Sequence, residues 1–237
     1  MSARSRRRLA ALASRFDLPQ AAVPALDVLL ELIASDPAAP TNLTDPGSAV
    51  DSHVADALVA LELDEVRGAR LIADIGSGAG FPGLVLAAAL PEAQVWLVES
   101  SSKKCAFLAR AAEAMGLANA EPVPSRAESW EPGIERCDLV TARAVAPLNV
   151  LVEYAAPLLL AGGALVAWKG RRDRTEEADG AAAASAIGLS AGEIRAVRPW
   201  DGAEHLHLHL HTKVASTPNR YPRRPGMASK RPLRAST

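Results

Sequence analysis

The most constraining stretch of this 237-residue chain is Leu71-Ile72-Ala73-Asp74-Ile75-Gly76-Ser77-Gly78-Ala79-Gly80-Phe81-Pro82-Gly83. Apolar residues around one carboxylate run into four glycines within eight residues, and an apolar run from Leu84 to Leu90 follows. That order predicts a strand, a tight turn and the start of a helix. Glycine admits positive φ and lets a ligand approach the main chain closely. The helix start adds unpaired N–H groups and the positive end of a dipole. Pro82 suits the first helical turn, where its missing N–H costs nothing. An ordinary strand-to-helix turn needs no such concentration of glycine.

Two ligand classes fit the spacing. Gly78-x-Gly80-x-x-Gly83 satisfies the dinucleotide fingerprint, with Glu99 placed 21 residues after Gly78, at the end of the next predicted strand. From Asp74 the same residues read acid-x-Gly-x-Gly-x-Gly, the loop of S-adenosylmethionine-dependent methyltransferases. There Glu99 takes the ribose hydroxyls, and a carboxylate at Asp74 suits a cationic sulfonium and amino group better than a pyrophosphate. A nicotinamide-dependent oxidoreductase is therefore one alternative, although no Tyr-x-x-x-Lys motif or hydride-accepting histidine pair is evident. A non-catalytic RNA-binding protein with a degenerate cofactor fold is another.

The flanking pattern sets the architecture. Strands are expected at 71–75, 94–98, 120–123, 137–142 and 164–168, and helices at 82–90, 102–115, 148–160 and 175–187. Two strands, 193–197 and 204–211, close the series. Strands alternating with helices predict an α/β fold with a mostly parallel, doubly wound sheet and antiparallel terminal strands. Ligands of such sheets lie beyond the carboxyl ends of the strands, which singles out Asp74, Glu99, Arg143 and Lys169. Ahead of this core, helices are expected over 21–34 and 48–63. His53 and Asp56, three apart, share one helix face, as a surface pair or as a polar cluster turned towards the cofactor mouth. The division expected is a basic arm and helical cap at 1–66, a cofactor-binding core at 67–212 and a flexible basic tail at 213–237.

A net charge of −1 hides an asymmetry. Residues 1–16 carry five arginines and no acid, and residues 212–237 carry seven Lys or Arg and no acid, which leaves −13 for the body between them. Such blocks serve as solvated tails or as phosphate contacts to a polyanion. No apolar run is long enough to span a membrane, and the basic start lacks the apolar core of a secretion signal. Two cysteines, Cys105 and Cys137, form neither a disulfide framework nor a zinc spacing. The expectation is a cytoplasmic, monomeric protein with no metal. His205, His207, His209 and His211 repeat with period two, so they share one strand face. Adjacent rings about 7 Å apart could meet one ion, but four could not close on it without bending the strand, and a polar, solvent-facing side is expected instead.

Motifs along the chain resemble those of the RsmG (GidB) family, bacterial methyltransferases of 16S ribosomal RNA. Asn42-Leu43-Thr44 with His53-x-x-Asp56 resembles one family segment, and Asp74 to Gly83, with its Pro-Gly ending, resembles the family's glycine loop. Glu99 with Ser102-Lys103-Lys104, Ser125-Arg126-Ala127-Glu128, Thr141-Ala142-Arg143-Ala144-Val145-Ala146 and Lys169-Gly170 follow in order. Tyr221-Pro222-Arg223-Arg224-Pro225-Gly226 resembles the basic tail of many members. The chain departs from the family in lacking a tryptophan and a basic residue just before Asn42. The resemblance implies a Rossmann-like class I methyltransferase with an N-terminal helical extension, using S-adenosyl-L-methionine to methylate N7 of one guanine in a decoding-site loop of 16S rRNA. Its partner would be the small ribosomal subunit or an assembly intermediate. It implies cofactor contacts from Gly76, Gly78, Phe81, Glu99, Ala127 and Glu128, and a cofactor- or RNA-holding role for Arg143. No residue is expected to act as a catalytic acid or base.

Overall fold

The computed structural model describes residues 2–42 and 45–235. Leu43 and Thr44, two residues of the Asn-Leu-Thr motif, lie outside the described residues. Seven strands form one sheet in the order β3-β2-β1-β4-β5-β7-β6. They are β1 (Leu71–Ile75), β2 (Gln94–Glu99), β3 (Ala120–Pro124), β4 (Cys137–Arg143), β5 (Leu159–Lys169), β6 (Glu193–Val197) and β7 (Leu206–Thr212). The first five are mutually parallel, whereas β7 runs antiparallel to both β5 and β6. The strand order reverses between β1 and β4, so the carboxyl ends of these two strands open a crevice at the switch point.

Alternation along each strand sends side chains to two apolar layers. Ile72, Leu97, Leu139 and Leu208 face one layer, whereas Ala73, Val98 and Val140 face the other. The first layer is covered by α1 (Ala3–Phe16) and α2 (Ala22–Ser35), by an irregular helical run over 46–67, and by α6 (Gly83–Ala89) and α7 (Ser102–Ala114). The irregular run comprises α3 (Pro46–Ala49), a π-helical turn Val50–Ala55, α4 (Asp56–Leu58), a 3-10 turn Val59–Glu62 and α5 (Asp64–Arg67). The second layer is covered by α8 (Leu148–Ala155) and α9 (Arg174–Ile187). A last short helix, α10 (Met227–Lys230), belongs to the C-terminal segment.

Two expectations, the length of α8 and the solvent face of β7, are corrected here. The N-terminal arm is helical from Ala3, because Ser2 caps it through the Ser5 N–H and Leu9, Leu12 and Phe16 bury one face. Its arginines turn back on the acidic body, with Arg8 2.7 Å from Asp51 and Arg15 2.7 Å from Glu62. The helix expected over 148–160 stops at Ala155. Pro157 has no N–H to continue the ladder, and Leu159 already pairs with Cys137 as the start of β5. The histidine face of β7 is not a solvent face along its length: His209 and His211 are buried, at 4% and 1% exposure. As an inner strand, β7 is covered on both sides, the leucines by the N-terminal helices and the inner histidines by α9 and the turn after it. Burial drives the His209 pKa down to about 4 and also lowers that of His211.

The C-terminal segment is laid along α8. Tyr221 is buried against the second layer, and Arg223 makes a two-pronged ion pair with the buried Glu153, Nε to Oε1 at 2.6 Å. The Asn149 amide nitrogen donates to the carbonyl of Leu233 at 2.7 Å. No helix among the described residues is long and apolar enough to cross a membrane.

Candidate active site

The turn after β1 is left-handed at Gly76 (φ +70), Gly78 (φ +57) and Gly80 (φ +92). Only glycine adopts such angles without strain. At Gly76 space adds a second constraint: a Cβ there would stand 2.6 Å from Val145 Cγ2. Asp74, 1% exposed, does not face the crevice. Its Oδ1 accepts from the Thr141 hydroxyl at 2.8 Å and its Oδ2 from the Gly83 N–H at 3.1 Å. The carboxylate thus ties the end of the glycine turn back to β1 and β4, and burial raises its pKa to about 6. The expectation that Asp74 answers the positive charge of the ligand is corrected accordingly.

Glu99 ends β2, 6% exposed. Its Oε2 accepts from the Gly78 N–H at 3.2 Å and its Oε1 from the Ser101 N–H at 2.8 Å. Lys104 Nζ stands 3.9 Å from Oε2. Gly76, Glu99, Ala127 and Glu128 line one cleft at the strand ends, closed by Val145, Tyr154 and Ser229. Gly78 stands behind it, fixing Glu99. The cleft holds about 170 Å³, below the several hundred Å³ of most ligand pockets. Val145 rests on Gly76 and narrows it, and the loop that carries Val145 turns at Ala144 with φ +57.

Phe81 and Arg143 do not line this cleft. They form an adjoining cluster with the π-helical turn. Phe81 stacks on His53, centroids 4.4 Å apart, and the Arg143 guanidinium lies 5.4 Å from the Phe81 centroid. Arg143 also meets Asp56 Oδ2 at 2.7 Å, the Ser52 carbonyl at 3.1 Å and His53 Nδ1 at 3.1 Å. Burial raises the Asp56 pKa, and the neighbouring Arg143 opposes that shift. Of the two readings of His53 and Asp56, the polar cluster is the one observed. Sequence reasoning placed Thr141 and Val145 in a motif without giving them a role and passed over Asn149 and Tyr154. Thr141 pairs with Asp74 across β1 and β4, a signal that needs the strand order to be seen.

The glycine backbone and the ringed carboxylate of Glu99 fit a cofactor with a ribose. Cysteine chemistry is not prepared, because burial drives Cys137 up to about 12 and also raises Cys105. Among the described residues, no group of three or more His, Cys, Asp or Glu is placed to hold a metal ion.

The family model described as GidB, rRNA small subunit methyltransferase G, matches residues 37–200. The chain belongs to this family. It is 41% identical over 196 residues to ribosomal RNA small subunit methyltransferase G of Desulfitobacterium hafniense, covering 81% of each chain. It is 42% identical over 198 residues to the protein of that name from Chloroflexus aggregans, covering 81% of this chain and 82% of the relative. A solved S-adenosylmethionine-dependent methyltransferase from Aquifex aeolicus shares the fold, with a TM-score of 0.56 and 16% identity, over 76% of this chain and 99% of that one. As a family member the chain is a methyltransferase whose methyl donor is S-adenosyl-L-methionine.

Proposed function

We propose that this chain transfers a methyl group from S-adenosyl-L-methionine to N7 of one guanine in a decoding-site loop of 16S rRNA. Membership of the methyltransferase G family is the single observation that carries this reading. The arrangement at the ends of β1 and β2 agrees with it. Glu99 holds the ribose hydroxyls, Gly76 presents its main chain to the cofactor, Gly78 acts behind it by holding Glu99, and Ala127 and Glu128 flank the adenine. Phe81 and Arg143 brace the far wall through His53 and Asp56.

Bound S-adenosyl-L-methionine supplies an electrophilic methyl on a cationic sulfur. N7 of guanine offers a lone pair, so it forms the new N–C bond as the S–C bond breaks and no proton has to leave. The residues present suit that chemistry. Their work is positioning, which lowers the barrier by holding the reacting atoms in line. The base must be unstacked or displayed in a loop for N7 to be reached.

The substrate is the small ribosomal subunit or a precursor of it, and the protein acts as a monomer in the cytoplasm. Residues 1–66 serve as the helical cap, 67–212 as the cofactor-binding core and 213–237 as the basic segment that meets RNA. Arg224, Lys230, Arg231 and Arg234 are exposed there, beside the cleft that Ser229 helps to close. Transfer of labelled methyl to small subunits from cells lacking the gene tests the proposal. Label in 16S rRNA supports it. Cofactor binding without label in rRNA moves the substrate elsewhere.

A further inference from the structure

Next to the cofactor cleft lies a larger cavity of about 650 Å³. The two share Val145 and Ala146 as a common wall. One side of the larger cavity is built stiffly. Lys169 Nζ donates to the Ala146 carbonyl at 2.9 Å and pairs with Glu176 Oε1, which also accepts from the Leu148 N–H at 2.8 Å. The opposite side is the end of the C-terminal segment, Ser229, Pro232 and Arg234. That side is held to α8 and α9 by the Asn149–Leu233 bond and by the Ala235 N–H donating to Asp179 Oδ1 at 2.9 Å.

Asn149 is the informative residue. It is 95% buried, being 5% exposed, and its Oδ1 has no hydrogen-bond partner among the described residues. Its other half is occupied, because the Leu233 carbonyl needs a donor and so fixes the nitrogen on that side. A buried acceptor left unpaired carries a desolvation cost that native structures rarely keep without reason. Asn149 lines the cavity with its donor engaged by a main-chain carbonyl and an idle acceptor that stays covered until the C-terminal residues move.

Resting on the function proposed above, we infer that this cavity seats the target guanine and that Asn149 reads its Watson–Crick edge. Guanine shows an acceptor, O6, next to a donor, N1–H. Asn149 Nδ2 donates to O6 in place of the Leu233 carbonyl, and Oδ1 accepts from N1–H. Both halves of the amide are then satisfied, and residues 232–234 give way as the base enters. Holding that edge leaves N7, on the far side of O6, turned to the shared wall behind which the methyl group lies. Methylation at N7 also moves the positive charge from sulfur to the purine ring. Asp173, Glu176 and Asp179 line the same cavity, and their carboxylates favour that charge where it arrives.

The test uses the full chain with Asn149→Leu, which removes both polar groups at similar volume, and Asn149→Gln, which keeps the amide. Three quantities are measured: cofactor affinity, thermal midpoint, and kcat/KM with small subunits. The expected result is a loss of about tenfold or more in kcat/KM for the leucine variant, partial recovery in the glutamine variant, unchanged cofactor affinity in both, and a modest fall in the thermal midpoint of the leucine variant, where the Leu233 carbonyl loses its donor. Wild-type kcat/KM in the leucine variant overturns the inference. So does a loss that tracks cofactor affinity or that glutamine does not relieve, because either assigns Asn149 to packing alone. If the wild-type protein places no methyl on a guanine N7 of rRNA, the underlying reading fails and this inference falls with it.

Discussion

Arg143 Nη1 lies 2.7 Å from Asp56 Oδ2, and this pair joins the end of β4 to the helical cap behind the glycine turn. Both side chains are largely buried, and burial alone raises the Asp56 pKa. Removing Arg143 strands that carboxylate, a loss that costs about 3–5 kcal/mol for buried pairs. Arg143→Ala is expected to lower the thermal midpoint and methyl transfer together. Asp56→Asn, which keeps an acceptor and removes the charge, is expected to lower both less. Normal stability, activity and affinity for cofactor and RNA in Arg143→Ala would rule out the role given to this residue.

Glu99 is held ready by two main-chain N–H groups and lies in the cleft. Glu99→Gln removes the charge-assisted acceptor while keeping the shape. Cofactor affinity is expected to fall about 10- to 100-fold, the equivalent of one or two strong hydrogen bonds, with little change in the thermal midpoint. Calorimetric titration reads the first quantity and a melting curve the second. A large melting shift with intact affinity would make Glu99 a structural residue only.

Two glycines of the turn separate function from folding. A Cβ at Gly76 meets Val145 and a positive φ, whereas one at Gly83 lands 2.7 Å from Asp74 Oδ2 and 2.4 Å from Leu97 Cδ2 inside the core. Gly83→Ala is expected to destabilise the fold by about 1–3 kcal/mol through overpacking, measured by urea denaturation. Gly76→Ala is expected to weaken cofactor binding more than it lowers stability, since Val145 sits on a loop at the surface of the cleft.

The glycine loop, the β/α alternation of a mostly parallel sheet and the place of Glu99 were legible in sequence because each is a local pattern: a glycine spacing, a period, a residue at a strand end. The inward turn of Asp74 was not legible, because its partners Thr141 and Gly83 come from β4 and from beyond the turn. The histidine repeat misled for a related reason. Period two shows that the four rings share a face, but only the place of β7 inside the sheet shows what covers that face. The C-terminal segment read as a charge block, yet Tyr221 and the Arg223–Glu153 pair dock it, and neither contact leaves a trace in composition.

Asp74 and His209 give the fold an opposed pH dependence. The folded-state pKa of Asp74 is raised from 3.8 to about 6, so the folded chain binds its proton more tightly than the unfolded chain. Its contribution is fully present below pH 4 and is lost as pH rises through 6, by about 3 kcal/mol. His209 is lowered from 6.5 to about 4, so its contribution is present above pH 6.5 and is lost as pH falls through 4. Between pH 4 and 6.5 the two slopes cancel in part. His209→Gln is expected to unmask a stability that declines with rising pH across this window, read by denaturant midpoints at stepped pH. An unchanged slope would show that His209 is not held neutral by the fold.

Salt dependence tests the C-terminal segment. Four exposed cations, Arg224, Lys230, Arg231 and Arg234, belong to it, and Arg234 lines the larger cavity beside the cleft. If each neutralises one phosphate of a single-stranded loop, replacing all four with glutamine reduces the slope of log affinity against log salt by about 3. An unchanged slope would place the RNA contact on another face.

Methyl transfer to rRNA is measured by incubating the protein with labelled S-adenosyl-L-methionine and small ribosomal subunits from cells that lack this gene. The 16S rRNA is then treated with borohydride and aniline, which cleave the chain at N7-methylguanosine. Guanine-N7 transfer gives label in 16S rRNA and cleavage at a single guanine of a decoding-site loop, both absent when Glu99 is replaced by alanine. Label in rRNA without cleavage at a guanine, or cofactor binding with no label in rRNA, would contradict it.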